Sequence, residues 1–432
     1  MFKTIKNIWH VKDLRNRIGF TLFIFIIFRI GTFVPVPGVN AAVFQSTTGP
    51  ENGLLGLFNT FSGGALKNFS IFALGIMPYI TASIIVQLLS MDVIPKFAEW
   101  AKQGEHGKKK MAQVTRYGTV ILAIIQAFAT SYGFNRLYST EMIPNATFAD
   151  YAVIAIVLTA GTSFLMWLGE QITEKGIGNG ISLIIFAGIV AGFPTMIQSI
   201  ANSEFIVDNQ TFMNVVKFLA IFIVVILIII GVIYIQQAIR KIPVQYAKRV
   251  VGNKMYGGQN THIPLKINAA GVIPVIFASS LLQFPVIIAN FWATHGWAKW
   301  VGTNLSHTKP LGMLLYVLMI VGFTFFYTFV QMNPQQMADN MKKNGGYIPG
   351  IRPGKATATY LTRVLTRLTM TGAIFLAAVS ILPVGLGALA GLPQSVQIGG
   401  TSILIVIGVA LDTMKTIEGQ LIKRHYKGFI KK

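Results

Sequence analysis

The sequence predicts an all-α polytopic membrane protein with about ten transmembrane helices in two halves of five. Three observations carry this. Of 432 residues, 53% are hydrophobic and only 12% charged, with a mean hydropathy of +0.61, which is too apolar for a water-soluble domain of ordinary composition. Apolar windows of roughly 20 residues, the length that matches the hydrocarbon core, recur ten times. Basic residues crowd onto alternate connections between these windows.

The first element follows a basic segment, residues 1–18, that contains Lys3, Lys6, Lys12, Arg15 and Arg17. The apolar run from Ile18 to Val34 resembles a secretory signal, but Arg29 interrupts it and no small-residue cleavage pattern precedes Pro35. A retained helix near 19–37 is therefore expected. Residues 52–67, from Asn52 to Lys67, are apolar but too short to span, and glycines punctuate them. They read either as a re-entrant or interfacial segment, which requires a cavity or protein around it, or as a partly ordered loop. Further spans are expected near 71–90, 117–135, 151–169 and 180–199, which closes an N-terminal half at 19–200. The stretch from Glu170 to Gly178 must then be a tight hairpin. The second half, 201–418, holds spans near 214–236, 268–292, 312–332, 368–388 and 400–417, with long polar connections at 237–267 and 333–367 and a tail at 419–432. Because each half makes five crossings, the second would sit inverted relative to the first.

Orientation follows from the basic residues. One set of connections carries Lys96, Lys102, Lys108 to Lys110, Arg240, Lys241, Lys248, Arg249, Lys254, Lys266, Lys342, Lys343, Arg352, Lys355, Arg363 and Arg367, besides both terminal segments. The opposite set has few, such as Lys67, Arg136, Lys299 and Lys309, mixed with Glu51, Glu141, Asp150, Glu204 and Asp208. The positive-inside rule places both termini in the cytoplasm. Net charge is +22, which calls for an anionic partner or surface such as lipid headgroups or nucleic acid.

Enzyme chemistry lacks its parts. There is no cysteine, so thiol catalysis and disulfides are excluded, and neither H-E-x-x-H nor G-x-S-x-G occurs. The stretch Gly350 to Ala356 has the wrong glycine spacing for a phosphate loop and Ala356 where a hydroxyl must meet the metal. No cofactor is expected. Mid-span charge is limited to Arg29 and, nearer a helix end, Asp412, which weakens ion-coupled transport. A facilitator of neutral solutes remains the rival reading, since interrupted helices can build a site from backbone groups.

Two stretches carry a resemblance. Ala73 to Leu89 places Thr81, Ser83 and Gln87 among aliphatics and is similar to the first signature of the SecY family; Trp167 to Ser182 is similar to the second. The likeness continues through Phe61 to Ala65, Ala269 to Ser280, and Tyr347 to Gly354, and so covers nearly the whole chain in order. The resemblance implies a channel of the bacterial general secretory pathway that moves unfolded preproteins across the cytoplasmic membrane and inserts helices through a lateral gate. It implies an hourglass pore with a waist at Ile76, Ile80, Ile181, Ile185, Ile276 and Ile405. Residues 52–67 would be a plug, including Leu57, Phe58, Phe61, Ser62, Gly63 and Gly64. Lateral-gate positions would be Thr81, Gln87, Asn179, Gln283 and Phe284. Lys248, Arg249, Lys254 and Arg352 would receive the SecA motor or the rRNA of a translating ribosome. Implied partners are SecE and SecG in a heterotrimer, SecA, the ribosome, signal-bearing preproteins and membrane lipids.

Overall fold

A computed structural model describes residues 11–40, 59–90, 94–137, 143, 146–205, 211–246, 249–251, 254–256, 260–289, 292, 295–305, 309–390 and 394–428. The helices are α1 (Lys12–Gly31), α2 (Met77–Leu89), α3 (Pro95–Lys102), α4 (Glu105–Leu137), α5 (Phe148–Lys175), α6 (Gly180–Phe205), α7 (Thr211–Gln237), α8 (Ile273–Ala289), α9 (Gly296–Asn304), α10 (Pro310–Gln331), α11 (Pro334–Lys343), α12 (Lys355–Ala390) and α13 (Gln394–Gly428). Strands β1 (Ile239–Tyr246), β2 (Arg249–Val251), β3 (Lys254–Tyr256) and β4 (Asn260–Lys266) lie between α7 and α8, and β5 (Gly346–Tyr347) follows α11.

Ten of these helices, α1, α2, α4, α5, α6, α7, α8, α10, α12 and α13, fall on the ten expected spans. The chain is an all-α polytopic membrane protein. Several ends differ from expectation: the third span begins at Glu105, not near 117, and the tenth runs to Gly428, past 417 and into the expected tail. The second span begins at Met77, not near 71, because residues 70–76 form turns in which Gly75 takes φ +56°. Pro78 occupies the first turn of α2, where its missing N–H leaves no hydrogen bond unmade. The ninth span begins at Lys355, not near 368, so part of the expected 333–367 loop is helix. The expected 237–267 loop is instead largely a β-ribbon, with β1 antiparallel to β4 from Ile239↔Lys266 to Gln245↔Asn260.

Packing divides the helices into two groups. In the first, α2 packs on α4, α4 on α5, α5 on α6, and α1 on α5 and α6; in the second, α8 packs on α10, α10 on α12, α12 on α13, and α7 on α13. Taken in chain order within each group, second meets third, third meets fourth, fourth meets fifth, and first meets fifth, in both halves. An odd number of crossings per half then inverts the second copy. The groups touch along two seams, α6 with α7 and α13 on one side, and α8 with α2 and α4 on the other.

Within the first group, α4 and α5 are pinned at both ends. Arg116 Nε lies 2.6 Å from Glu170 Oε1, and Asn135 Nδ2 donates to the Tyr151 hydroxyl at 2.8 Å. Phe72 stacks between Phe28 and Phe164, at 6.2 Å from each ring. Gly161 lets α5 approach the Ile71 carbonyl, where a Cβ would collide with backbone.

Candidate functional site

The six isoleucines sit on, or at the start of, four of the six helices that join the halves, α2, α6, α8 and α13. Ile80 lies in the first turn of α2, with Ile76 as its N-cap, Ile181 and Ile185 open α6, Ile276 opens α8, and Ile405 lies within α13. Ile76, Ile80, Ile185, Ile276 and Ile405 are at most 5% exposed and belong to one core cluster, against which half-buried Ile181 packs. Ile76 precedes the helix, yet the Ile80 amide donates to its carbonyl at 3.2 Å, so the pair shares one turn. The hydroxyls of Ser279 and Ser280 turn back onto the Ile276 carbonyl, at 2.9 and 2.8 Å. Aliphatic side chains meeting at a helix interface offer no hydrogen bond to anything that passes, and a narrow apolar constriction resists water and ions.

Residues 59–67 lie against the helices of this constriction. Asn59 to Phe61 make one helical turn, the Ser62 hydroxyl donates to the Asn59 carbonyl at 3.2 Å, and Asn59 Oδ1 accepts from the Lys67 amide at 3.0 Å, so the segment closes on itself. Phe61, Ser62, Ala65 and Leu66 are buried. Two glycines receive it. A Cβ at Gly75, next to Ile76, would stand 3.4 Å from Ser62, and one at Gly188, a turn beyond Ile185, would stand 2.5 Å from the Phe61 carbonyl oxygen. Gly63 and Gly64 themselves take left-handed φ values of +69° and +85°. Leu57 and Phe58 lie outside the described residues. Sequence reasoning missed Gly188, whose only signal was its place one turn from Ile185.

Beyond the constriction, on the side of the β-ribbon, lies a cavity of ≈ 560 Å³ lined by residues that include Arg17, Ser182, Gln236, Asn268, Ile273 and Asp412. Asn179 belongs here too. Its Oδ1 accepts from the Ile181 and Ser182 amides at 3.1 and 3.3 Å, which caps α6. Asn179 therefore stands at the start of α6, beside the cavity.

At the α2–α8 seam the polar groups are few. The Thr81 hydroxyl donates to the Met77 carbonyl within its own helix, at 3.1 Å. Gln87 Oε1 on α2, Gln126 Oε1 on α4, and both amide atoms of Gln283 on α8 are buried with no hydrogen-bond partner among the described residues. Gln126 was not anticipated from sequence. Phe284 is half-buried beside Pro285, which removes one hydrogen bond from α8.

The ribbon, α11, β5 and the start of α12 form one structured unit. β5 adds to the ribbon through Gln245↔Tyr347, and Tyr347 Oη donates to Gln245 Oε1 at 3.0 Å. Ile242, Val244 and Leu265 of the ribbon pack with Met341 of α11 and Leu361 and Leu365 of α12. Arg352 is exposed in the turn before α12, where its carbonyl accepts from Thr357 Oγ1 at 2.9 Å. Arg249 and Lys254 fall on the β2–β3 hairpin, and Lys248 lies outside the described residues.

Two five-helix groups that meet on buried aliphatic side chains, with residues 59–67 packed against them and a cavity beside them, have the build of a membrane channel. The SecY family model matches residues 70–414. The SecY protein translocase subunit of Halalkalibacterium halodurans is 60% identical over 100% of both chains, and that of Bacillus subtilis is 57% identical, again over 100% of both. The chain belongs to the SecY family, and it is a protein-conducting channel. Its fold is shared with a solved protein-conducting channel at TM-score 0.64 and 18% identity, covering 97% of this chain and 95% of that one. A second such structure, at the same score, identity and coverage, is described as having a plug domain that stabilises the closed state and maintains a membrane seal. Sec61 in a canine ribosome-channel complex matches at TM-score 0.62 and 16% identity, covering 97% and 95%.

Proposed function

We propose that the chain conducts unfolded, signal-bearing preproteins outward across the bacterial cytoplasmic membrane and releases apolar segments into lipid between α2 and α8. The observation that carries this reading is that Ile76, Ile80, Ile185, Ile276 and Ile405, drawn from both halves, are buried in one core cluster where the halves meet. Such a waist discriminates against ions while making no demand on the sequence of a passing chain. Residues 59–67 act as the plug, and Thr81, Gln87, Gln283 and Phe284 act at the gate. Both termini and the β-ribbon face the cytoplasm, in keeping with their basic charge. The chain performs no bond chemistry, so energy comes from partners: SecA or a translating ribosome docks on the ribbon and the Arg352 turn, SecE clamps the halves, and SecG binds peripherally. That Sec61, which shares this fold, occurs in a ribosome-channel complex supports the ribosome as a partner.

The test is protease protection of a signal-bearing precursor in liposomes that contain this chain with SecE and SecG, supplied with SecA and ATP. Protection that needs both the motor and an intact signal is expected. Absence of protection despite verified assembly would favour solute transport instead.

A further inference from the structure

Arg29 is the charge that the apolar sequence of α1 does not explain. It lies in the last turn of α1, beside exposed Ile26, Ile30 and Phe33. A helix C-terminus favours a cation there, and a long side chain can reach the interface from such a place. Neither effect requires a protein partner. The guanidinium nevertheless has two. Nη1 donates to the Gly63 carbonyl at 2.9 Å, and the Phe33 ring centroid lies 4.6 Å from Cζ, which holds the planar group over the ring. The first contact joins α1 to the seated segment across 34 positions of sequence. Gly63 and Gly64, both with left-handed φ, form the turn that presents this carbonyl, and the same turn rests on Gly188 and Phe28.

We propose that Arg29 is a positioning residue that latches the plug shut, so that its hydrogen bond to Gly63 helps set the threshold a substrate must exceed to open the channel. The inference rests on residues 59–67 being the plug. A charge-assisted hydrogen bond is stronger than a neutral one, and this one ties the segment to the outer end of α1, a helix that carries none of the six waist isoleucines. Moving the segment aside breaks the bond without disturbing the waist itself.

The experiment is iodide efflux from liposomes that contain the purified channel complex, with no substrate present. Arg29→Gln is expected to raise efflux roughly three- to tenfold, the scale of one ordinary hydrogen bond, since exposure to solvent weakens the charged one, and Arg29→Lys to restore most of the seal. In a chain lacking residues 59–64, efflux should already be high and Arg29→Gln should add nothing. High efflux from the deletion with none from Arg29→Gln would overturn the latch and leave the plug intact as a reading. An Arg29→Gln leak that adds to the deletion would place the effect elsewhere and also overturn it. A deletion that stays sealed would remove the plug reading itself. Where the deletion fails to assemble, Gly188→Val, which unseats Phe61, supplies the same background.

Discussion

A Cβ at Gly188 would stand 2.5 Å from the Phe61 carbonyl oxygen and 3.2 Å from the Gly63 amide nitrogen, both inside van der Waals contact. Backbone cannot yield there as the end of a flexible side chain can, so Gly188→Val should displace the segment while leaving α6 helical. The expected result is ion leak through the purified channel and passage of precursors with defective signals; a sealed channel would show that the segment seats elsewhere. Ile405 poses the opposite problem, because it is 0% exposed and nothing around it calls for a polar group. Ile405→Asn places an amide in the waist, at a cost of roughly 2 kcal/mol or more when it is buried without partners, and water entering an opened waist relieves that cost. The closed state is therefore weakened relative to the open one. Export of a precursor with a crippled signal should rise, and continued exclusion would remove Ile405 from the waist. Before the structure, nothing in an isoleucine on an apolar helix distinguished waist from lipid-facing packing. The likeness to a family supplied the positions, and only their convergence on α2, α6, α8 and α13 gives them a physical reason.

The ribbon, α11, β5 and the start of α12 form one element outside the membrane, held by a small core of its own. Leu361 is 0% exposed in that core, so Leu361→Ala should cost about 2–5 kcal/mol locally. Limited proteolysis should then cut within 237–267 faster, while the membrane spans stay protected; an unchanged ribbon would mean that α12 does not brace it. Arg352→Glu tests the same element from its surface. The side chain is exposed, so reversal should leave folding and assembly intact yet impair motor-driven export, and normal export would end its docking role. Hydropathy found the membrane spans but not this unit. Basic residues at Lys355, Arg363 and Arg367 pulled the average down where α12 continues out of the bilayer as a helix. Ile242 and Val244 alternate with exposed neighbours on β1, a period-two signal that was legible but short. The turns at 70–76 escaped for a different reason, since their residues are as apolar as those of the helix they precede.

At the scale of the whole molecule, both seams between the halves involve helices with buried polar atoms that have no partner among the described residues, Gln236 Nε2 on α7 and Ser402 Oγ on α13 at one, and three glutamines at the other. The seam of α6 with α7 and α13 also packs aliphatic residues such as Ile189, Val232 and Leu404, all 0% exposed. The seam of α8 with α2 and α4 carries helices that bear buried amides at Gln87, Gln126 and Gln283, with no partner for the named atoms among the described residues. An unpaired buried amide costs about 1–3 kcal/mol, and in an apolar surrounding that cost falls on the closed arrangement. When the halves swing apart, water or the polar backbone of an entering segment can satisfy the same groups, so each amide narrows the gap between closed and open. Gln283 is the clearest case, being 1% exposed with neither amide atom paired. Gln283→Leu keeps similar bulk and removes the desolvation cost, which should raise the thermal stability of the purified channel. Stabilising the closed seam should also slow lateral release, so membrane segments of marginal hydrophobicity should insert less well while secretion of fully soluble passengers changes less. If the variant is less stable, or insertion and secretion fall together, the amide has a partner in the working assembly and does not narrow the gap between closed and open.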